Sequence, residues 1–411
     1  MFKIPRLFVM MFMQYFVQGA WNMTIGAVLA TYNMKESIGT TYSLLGLATI
    51  ISPLFIGMIA DRFFASQKVI SILHILNGLV MLLLPTYILE GNVTAFLFII
   101  FIVGLLYYPT TALSNSIAFH HISEQKLFPY IRVFGNIGFI VIGLIMGYYK
   151  IFDNVIVFKV AAISAIICGL YCLTLPNTPP TAKGSKLDLR TIFCLDALSL
   201  FKDRYFTIFM LATFVLMITK TAYSAYIPVY LKVLDMNSAN MMQIAVGAEV
   251  LFMVLLVSML KKFGFKVVIM LGIIGWVIRM FIFSHAATSD DYFTYILIGL
   301  LLQGVCWDFF FTAGDVYVNS KAHESIKAQA QGLRFIVSNG FGVFMASSVI
   351  GAINNHVVTE KSMPLAAPQW SEFWLYPAVV ALIVGVLFWI FFKDTEEFKN
   401  NKMIGCNFAP F

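Results

Sequence analysis

The sequence predicts an all-α membrane protein with twelve transmembrane helices. Of its 411 residues, 60% are hydrophobic and only 11% are charged, and the mean hydropathy of +0.87 excludes a soluble domain. The apolar residues stand in near-continuous runs of about 20, which is enough to cross the ~30 Å hydrocarbon layer of a bilayer as a helix. Because these runs do not alternate apolar and polar residues, they also exclude a β-barrel.

Twelve such runs follow one another along the chain. The first one is too long for the core of a signal peptide, so we interpret it as a retained span. The predicted spans are Leu7–Ala30, Thr41–Ala60, Val69–Leu89, Thr94–Ile117, Leu127–Tyr149, Asn154–Leu175, Tyr205–Leu231, Met241–Leu260, Val267–Phe283, Tyr292–Val318, Ala328–Ile353 and Phe373–Phe392.

A polar, basic stretch separates the sixth span from the seventh. It opens with Pro176, Pro179 and Pro180, which are unfavourable inside a helix. We therefore expect two six-helix bundles joined by a cytoplasmic linker. The predicted domains are residues 1–175 for the N-terminal bundle, 176–204 for the linker, 205–392 for the C-terminal bundle and 393–411 for a cytoplasmic tail.

The positive charges are unevenly distributed between the two sides of the predicted spans. With the N-terminus in the cytosol, 18 of the 27 Lys and Arg residues lie in inward loops, four lie in outward loops and five lie within spans. This bias predicts that both termini are cytoplasmic. The formal charge of +7 therefore reflects topology, and we expect the lipid bilayer as a partner but no nucleic acid.

Several kinds of functional site have no counterpart in the sequence. No Gly-rich loop ends in Gly-Lys-Ser/Thr, so nothing indicates ATP hydrolysis. The His and Cys residues lack the spacing of a metal or redox site, and no cytosolic stretch is long enough for an enzyme domain. We expect no enzyme activity, no metal and no cofactor, and an ion gradient as the source of energy for uphill transport.

One acidic residue, Glu249, lies near the middle of the eighth span. At ~1.5 Å per residue it is about 12 Å from the start of that span. A carboxylate at this depth is costly unless it faces a partner or a wet cavity, or takes up a proton. Glu249 therefore indicates a functional site, and the alternative is a structural ion pair between two helices.

Two more spans of the second half carry ionisable residues. Lys220 lies about 22 Å into the seventh span, with Ser224 one turn further on, and it needs an acid or a wet cavity nearby. Asp308 is deep in the tenth span. We expect Lys220 to be a charge partner of the acids.

The fifth span carries a polar and aromatic stripe. Arg132, Asn136 and Phe139 recur at i, i+4 and i+7, so they share one helix face. A cation, an amide and an aromatic ring suit a hydroxylated solute with a flat ring, although Arg132 could instead be an anchor at the inner end of the helix. Gly135 and Gly138 lie beside this stripe, where they can admit a neighbouring helix.

Other polar residues within spans have a structural explanation. Arg279 lies near the outer end of the ninth span, where snorkelling of its guanidinium to the interface accounts for it. Asp315 is nearer the cytosol and can meet Lys321 or Arg334. His74 in the third span is typical of a hydrogen-bonded structural residue.

The end of the second span carries a recognisable motif. Gly57, Asp61 and Arg62 form Gly-x-x-x-Asp-Arg, followed by Lys68, which resembles the signature loop between spans two and three of the major facilitator superfamily. Gly57 allows close approach of helices, and Asp61 can pair with bases or a helix N-terminus at the cytosolic face. This loop is expected to take part in gating.

Several segments together resemble the nucleoside:proton symporter family of that superfamily. They follow one another in order over most of the chain. The segments are Gly19-x-Trp21 with Thr24 and Gly26; Ser43 to Gly46; Gly57 to Arg62; Tyr107-x-Pro109-Thr110 with Asn115; Ile131 to Phe139; Leu195 to Ala197 with Leu200 to Lys202; Asp308 to Phe310; and Ala330 to Gly332 with Asn339 to Gly342.

The resemblance implies proton-driven nucleoside uptake across the bacterial cytoplasmic (inner) membrane by a major facilitator fold. It implies that Arg132 and Phe139 bind the substrate, and that Glu249 and Asp308 are the family's glutamate of span eight and aspartate of span ten. Glu249 is the first candidate for the proton carrier and Asp308 the second. Such bundles usually act alone, so we expect a monomer, and the sequence leaves lateral association open.

The chain departs from the family pattern within the proposed pocket. Thr221, Ser224 and Val246 stand where the family has polar side chains of spans seven and eight, and Asn136 stands where a threonine is expected. Lys220 has no family counterpart. These changes leave open a proton symporter for a sugar or another small hydroxylated metabolite, and, as a different class, a non-transporting membrane receptor.

Overall fold

The computed structural model describes residues 3–122, 127–180, 194–323 and 326–394. Every regular element within these ranges is helical. The predicted all-α class is therefore confirmed. Residues 181–193 of the predicted linker, and the predicted tail from residue 395 onward, lie outside the described residues.

The chain forms two compact units. The first comprises Met1–Ile192 with Asn237–Asn240, and the second comprises Phe193–Met236 with Met241–Phe411. Within the described part of the first unit, the α-helices are α1 (Lys3–Trp21), α2 (Ile25–Thr31), α3 (Ile38–Arg62), α4 (Ser66–Met81), α5 (Leu84–Leu89), α6 (Val93–His121), α7 (Phe128–Tyr148) and α8 (Ile156–Cys172).

The second half of the chain adds longer helices and two π-helical segments, Asp308–Thr312 and Ile336–Gly342. A 3₁₀ helix, Asp196–Lys202, precedes them. The α-helices described there are α9 (Arg204–Val233), α10 (Ser238–Ala286), α11 (Tyr292–Leu301), α12 (Gln303–Trp307), α13 (Ala313–Lys321), α14 (Lys327–Phe335), α15 (Val343–Val357) and α16 (Ala367–Phe391).

Each of the twelve predicted spans overlaps a helix. Seven described helical segments are long and apolar enough to cross a membrane, and the number is eight if the bent pair Tyr292–Leu301 and Gln303–Lys321, with an angle of 41°, counts as one span. The eighth and ninth predicted spans are continuous in α10 except at Gly264, where φ is 77° and ψ is 178°. Glycine reaches this positive φ without a steric penalty, so one residue breaks the helix where the sequence predicted a loop.

In the first unit, α1 and α7 pack closely through glycines of α7. A Cβ atom at Gly138 would collide with the backbone carbonyl of Phe12, and a Cβ at Gly135 would meet the ring of Tyr15. Both contacts confirm that these two glycines admit a neighbouring helix. The close approach fixes the face of α7 that carries Arg132.

Neutral hydrogen bonds tie α1, α4 and α6 together inside the first unit. The Nε2 atom of Gln14 donates to Oγ1 of Thr110 at 2.8 Å, and Oε1 of Gln14 lies 2.7 Å from Nε2 of His74. Tyr107 donates to the backbone oxygen of Gln14 at 3.0 Å. Gln14, His74 and Thr110 are fully buried, so His74 is part of a structural network, as the sequence suggested.

Candidate substrate and proton site

The three residues of the predicted polar stripe lie on α7. Arg132 is exposed, and Asn136 and Phe139 are half-buried. The guanidinium carbon of Arg132 is 5.2 Å from the ring centroid of Tyr15, and the ring of Phe139 lies against Gly19. The ring of Tyr15 lies against the guanidinium of Arg132 without using its hydrogen-bond donors. The N–H groups of Arg132 are therefore available to a polar ligand.

Asp308 is fully buried at the start of a π-helical segment in the second unit. Its Oδ1 atom accepts a hydrogen bond from Thr312 at 3.1 Å. Its Oδ2 atom has no partner among the described residues. A π-helical turn is frequent at functional sites, and a buried carboxylate oxygen without a donor is suited to bind a proton or a ligand hydroxyl.

Glu249 in α10 is half-buried and lies close enough to Asp308 for their charges to interact. Its Oε2 atom accepts a hydrogen bond from Nε2 of Gln303 at 3.3 Å. The second unit therefore brings the two sequence-predicted proton carriers together. The repulsion between two nearby carboxylates is relieved when one of them binds a proton.

Lys220 does not pair with an acid among the described residues. Its ammonium group lies 5.7 Å from the ring centroid of Trp307, the residue directly before Asp308. Thr221 and Ser224 follow Lys220 on the same helix. Thr221 is buried, and its hydroxyl has no partner among the described residues, whereas Ser224 is half-buried. The expected pairing of Lys220 with a carboxylate is thus replaced by a cation–π contact.

Arg279 was expected to snorkel to the membrane surface, and this expectation is wrong. Its side chain is completely buried, with the guanidinium carbon 3.6 Å from the ring centroid of Tyr223, 5.4 Å from that of Trp276 and 5.5 Å from that of Phe283. Its Nη1 atom donates to Oε1 of Gln303 at 2.7 Å. Three aromatic rings and one amide keep the cation inside the unit.

The sequence contained a signal for this buried arginine that hydropathy alone does not use. Trp276, Arg279 and Phe283 recur at i, i+3 and i+7, which places two aromatic rings on the face of the arginine. The amide of Gln303 in another apolar span is a suitable acceptor. Together these residues indicate a buried polar contact rather than an anchor at the interface.

Two ion pairs of described residues connect separate helices of the second unit. Arg334 pairs with Asp315, which confirms one of the two partners expected for Asp315. Lys321 pairs instead with Asp203 at 2.7 Å. Partial burial opposes ionisation of Asp203, but hydrogen bonds from Lys321 and from backbone amides outweigh it and lower the pKa of this carboxyl.

The predicted gating motif lies at the C-terminal end of α3. The backbone of Gly57, Asp61 and Arg62 is helical, and their side chains lie outside the described ones. Among the described residues, no group of three or more His, Cys, Asp or Glu side chains could hold a metal ion.

The sequence profile of the family described as Nucleoside H+ symporter matches residues 1–397. The chain belongs to this family. Members of the nucleoside:proton symporter family are transporters rather than enzymes, and the family resemblance seen in the sequence motifs is confirmed.

Two relatives from Escherichia coli (strain K12) match almost the whole chain. The "Putative nucleoside transporter YegT" is 34% identical over 410 residues, which are 95% of this chain and 94% of the relative. The "Xanthosine permease" is 28% identical over 420 residues, which are 97% of this chain and 98% of the relative. The symporter family assignment therefore extends over the full set of predicted spans.

Solved structures confirm the fold class of this family member. A crystal structure of the nucleoside transporter NupG matches with a TM-score of 0.84 and 24% identity, covering 96% of this chain and all of that one. A D-xylose-proton symporter matches with a TM-score of 0.74 and 16% identity, covering 95% of this chain and 98% of that one. At these identities the likeness shows the fold, which is that of the major facilitator superfamily.

Proposed function

We propose that this protein imports nucleosides together with protons across the bacterial cytoplasmic membrane by alternating access. The observation that carries the proposal is the symporter family match over residues 1–397. The pair of acids in the second unit supports it, because a proton symporter needs a group inside the membrane that can bind and release a proton.

The proposed substrate contacts lie on both units. In the first unit, Arg132 and Asn136 donate to polar groups of the nucleoside, and Phe139 stacks on the flat base. In the second unit, the hydroxyls of Thr221 and Ser224 and the carboxylates of Glu249 and Asp308 bond to ribose hydroxyls. The exposed donors of Arg132 and the unpartnered hydroxyl of Thr221 support these assignments.

The proposed proton carrier is Glu249, and Asp308 is the second choice. Glu249 is less buried than Asp308 and has a neutral amide as hydrogen-bond partner. A proton on Glu249 removes its repulsion with Asp308 while the substrate moves, and its release inward resets the site.

The proposed arrangement in the membrane follows from the loop charges. Both termini are cytoplasmic, and the bundle boundaries are residues 1–175 and 205–392, with residues 176–204 as linker. The loop of Gly57, Asp61 and Arg62 takes part in gating at the cytoplasmic face. We propose that the transporter acts as a monomer in the lipid bilayer.

Nucleoside uptake into proteoliposomes with an imposed pH gradient tests the proposal. Uridine, adenosine and xanthosine are offered as labelled substrates, and xylose is offered as the sugar that represents the alternative. We expect at least one nucleoside to accumulate above its external concentration when the outside is acidic, and to equilibrate without the gradient. Accumulation of xylose alone, or binding of a nucleoside without counterflow, would contradict nucleoside symport.

A substitution at the proposed carrier tests the coupling. Glu249→Gln keeps the size of the side chain and cannot release a proton. We expect it to retain exchange of labelled for unlabelled nucleoside while losing accumulation driven by the pH gradient. Undiminished accumulation by Glu249→Gln would remove Glu249 as the obligatory carrier.

A further inference from the structure

The second unit contains one cation that the proposed mechanism does not use. Arg279 is fully buried and forms no ion pair with a carboxylate of the described chain. Tyr223, Trp276 and Phe283 surround its guanidinium. A charge that is kept away from water in this way acts over a longer range than a solvated one, because little solvent screens it.

A single amide joins this cation to the proposed proton carrier. The Oε1 atom of Gln303 accepts from Arg279 at 2.7 Å, and the Nε2 atom of the same amide donates to Glu249 at 3.3 Å. Both ends of the amide are therefore used, and their order is fixed. The guanidinium has only donors and must meet the carbonyl oxygen, which leaves the NH₂ group for the carboxylate.

Three other described titratable groups lie around the bridge. Tyr223 and Cys306 lie beside Arg279. Asp308 faces Glu249 and carries a charge of the same sign. The described hydrogen bonds thus link the cation Arg279 to Glu249 through Gln303, and Asp308 opposes its effect.

We propose that Arg279 is a positioning residue and fixed counter-charge which, through Gln303, lets Glu249 give up its proton toward the cytoplasm. The inference rests on the proposed function and adds the group that makes release possible. On release, the O–H bond of the Glu249 carboxyl breaks, the proton passes to water, and the carboxylate accepts the N–H of Gln303. The positive charge behind the amide then stabilises the anion, and no other reactant is needed.

Two substitutions interrupt the bridge at different points. Arg279→Gln removes the charge, and Gln303→Leu removes the amide while Arg279 stays. In both variants an ionised Glu249 loses stabilisation, so the carboxyl holds its proton to a higher pH. We expect gradient-driven accumulation to fall at least tenfold, exchange to stay within about threefold, and the pH of half-maximal uptake to rise by about one unit, which corresponds to a tenfold change in proton affinity.

Two control variants separate this role from a merely structural one. Arg279→Lys keeps a positive charge, and we expect it to restore the wild-type pH profile more fully than Arg279→Gln does. Arg334→Gln removes another buried arginine of the same unit, whose partner is Asp315. It is expected to leave the pH of half-maximal uptake unchanged, whatever it does to the amount of folded protein.

The outcomes distinguish the inference from the proposed function. A wild-type protein that accumulates no nucleoside with the pH gradient overturns the proposed function itself. If the wild type instead accumulates nucleoside while Gln303→Leu shows the same accumulation and the same pH profile, that result overturns only the role of Arg279. If Arg279→Gln fails to fold, Gln303→Leu decides by itself, because it leaves the cation and its three rings in place.

Discussion

The two units bury different kinds of polar side chain. In the first unit the buried hydrogen-bonded groups are neutral, with Gln14 joining Thr110 and His74. In the second unit they include charged groups, with Arg279 and Asp308 completely buried. The hydrogen bonds of the first unit form between uncharged groups. In the second unit, the free-energy cost of burying the charged groups depends on whether they are protonated.

This difference divides the proposed work of the transporter. A hydrogen-bonded network that contains no Asp, Glu, Lys or Arg can hold helices in position without an ion, so we infer that the first unit presents Arg132 and Phe139 at a constant geometry. The carboxylates of the second unit lose their charge when they bind a proton. The stability of the structure around them therefore depends on their protonation. We therefore propose that proton coupling belongs to the second unit and the aromatic contact with the base to the first.

The largest effect is expected at Asp308. Asp308→Asn fills the same space but cannot ionise, and it removes half of the acid pair. We expect accumulation driven by the pH gradient to fall to the level of empty liposomes. Labelled uptake is the measurement, and protein content of the liposomes is the control. Wild-type accumulation by this variant would break the assignment of coupling to the second unit.

A smaller effect is expected at Phe139 in the first unit. Stacking of an aromatic side chain on a base contributes ~1–3 kcal/mol, so Phe139→Ala should raise the KM for a nucleoside by roughly tenfold or more. The pH dependence of uptake should stay as in the wild type. Phe98→Ala is the matched control, since Phe98 is an exposed phenylalanine of the same unit; an equal rise in KM in both variants would exclude stacking by Phe139.

The neutral network of the first unit is expected to affect stability without affecting coupling. Gln14→Leu leaves the buried groups of His74 and Thr110 without their partner, which costs about 1–3 kcal/mol. The melting temperature in detergent should fall, while the protein that remains folded should show wild-type gradient-driven uptake. Loss of coupling in folded Gln14→Leu protein would show that the first unit takes part in proton transfer.

The smallest effect is expected at Asp203, at the N-terminus of α9. Asp203→Asn keeps a side chain that caps the helix but removes the charge that pairs with Lys321, so it should cost about 0.5–1 kcal/mol at neutral pH. Because the folded-state pKa of Asp203 lies below its ordinary value of 3.8, this stabilisation is present above that value and is lost as the pH falls through the lower, folded-state pKa. Thermal unfolding of both proteins at pH 7 and near pH 3 checks this, and a difference that grows in acid would contradict it.

The helices and the acids could be predicted from the sequence because both leave local signals. Long apolar runs predict spans wherever they occur, and a single acid such as Glu249 is conspicuous within one. The pairing of Asp315 with Arg334 was also among the expected alternatives. In each case the residue type and its depth along one span carry the information.

The surroundings of Arg279 and Lys220 could not be predicted in the same way. The depth of Arg279 in its span suggested the interface, but its burial depends on Tyr223 and Gln303, which lie 56 and 24 positions away in the sequence. Lys220 meets an indole ring instead of an acid for the same reason. Contacts between spans decide where a long cationic side chain goes, and periodicity within one span does not report them.

Proton movement that follows addition of a nucleoside tests the central claim most directly. Proteoliposomes with a pH-sensitive dye inside should acidify when a transported nucleoside is added outside without a gradient. We predict that acidification persists in folded His74→Gln protein of the first unit and disappears in Glu249→Gln or Asp308→Asn, where exchange continues. Loss of acidification in His74→Gln, with acidification retained in both carboxylate variants, would contradict the account.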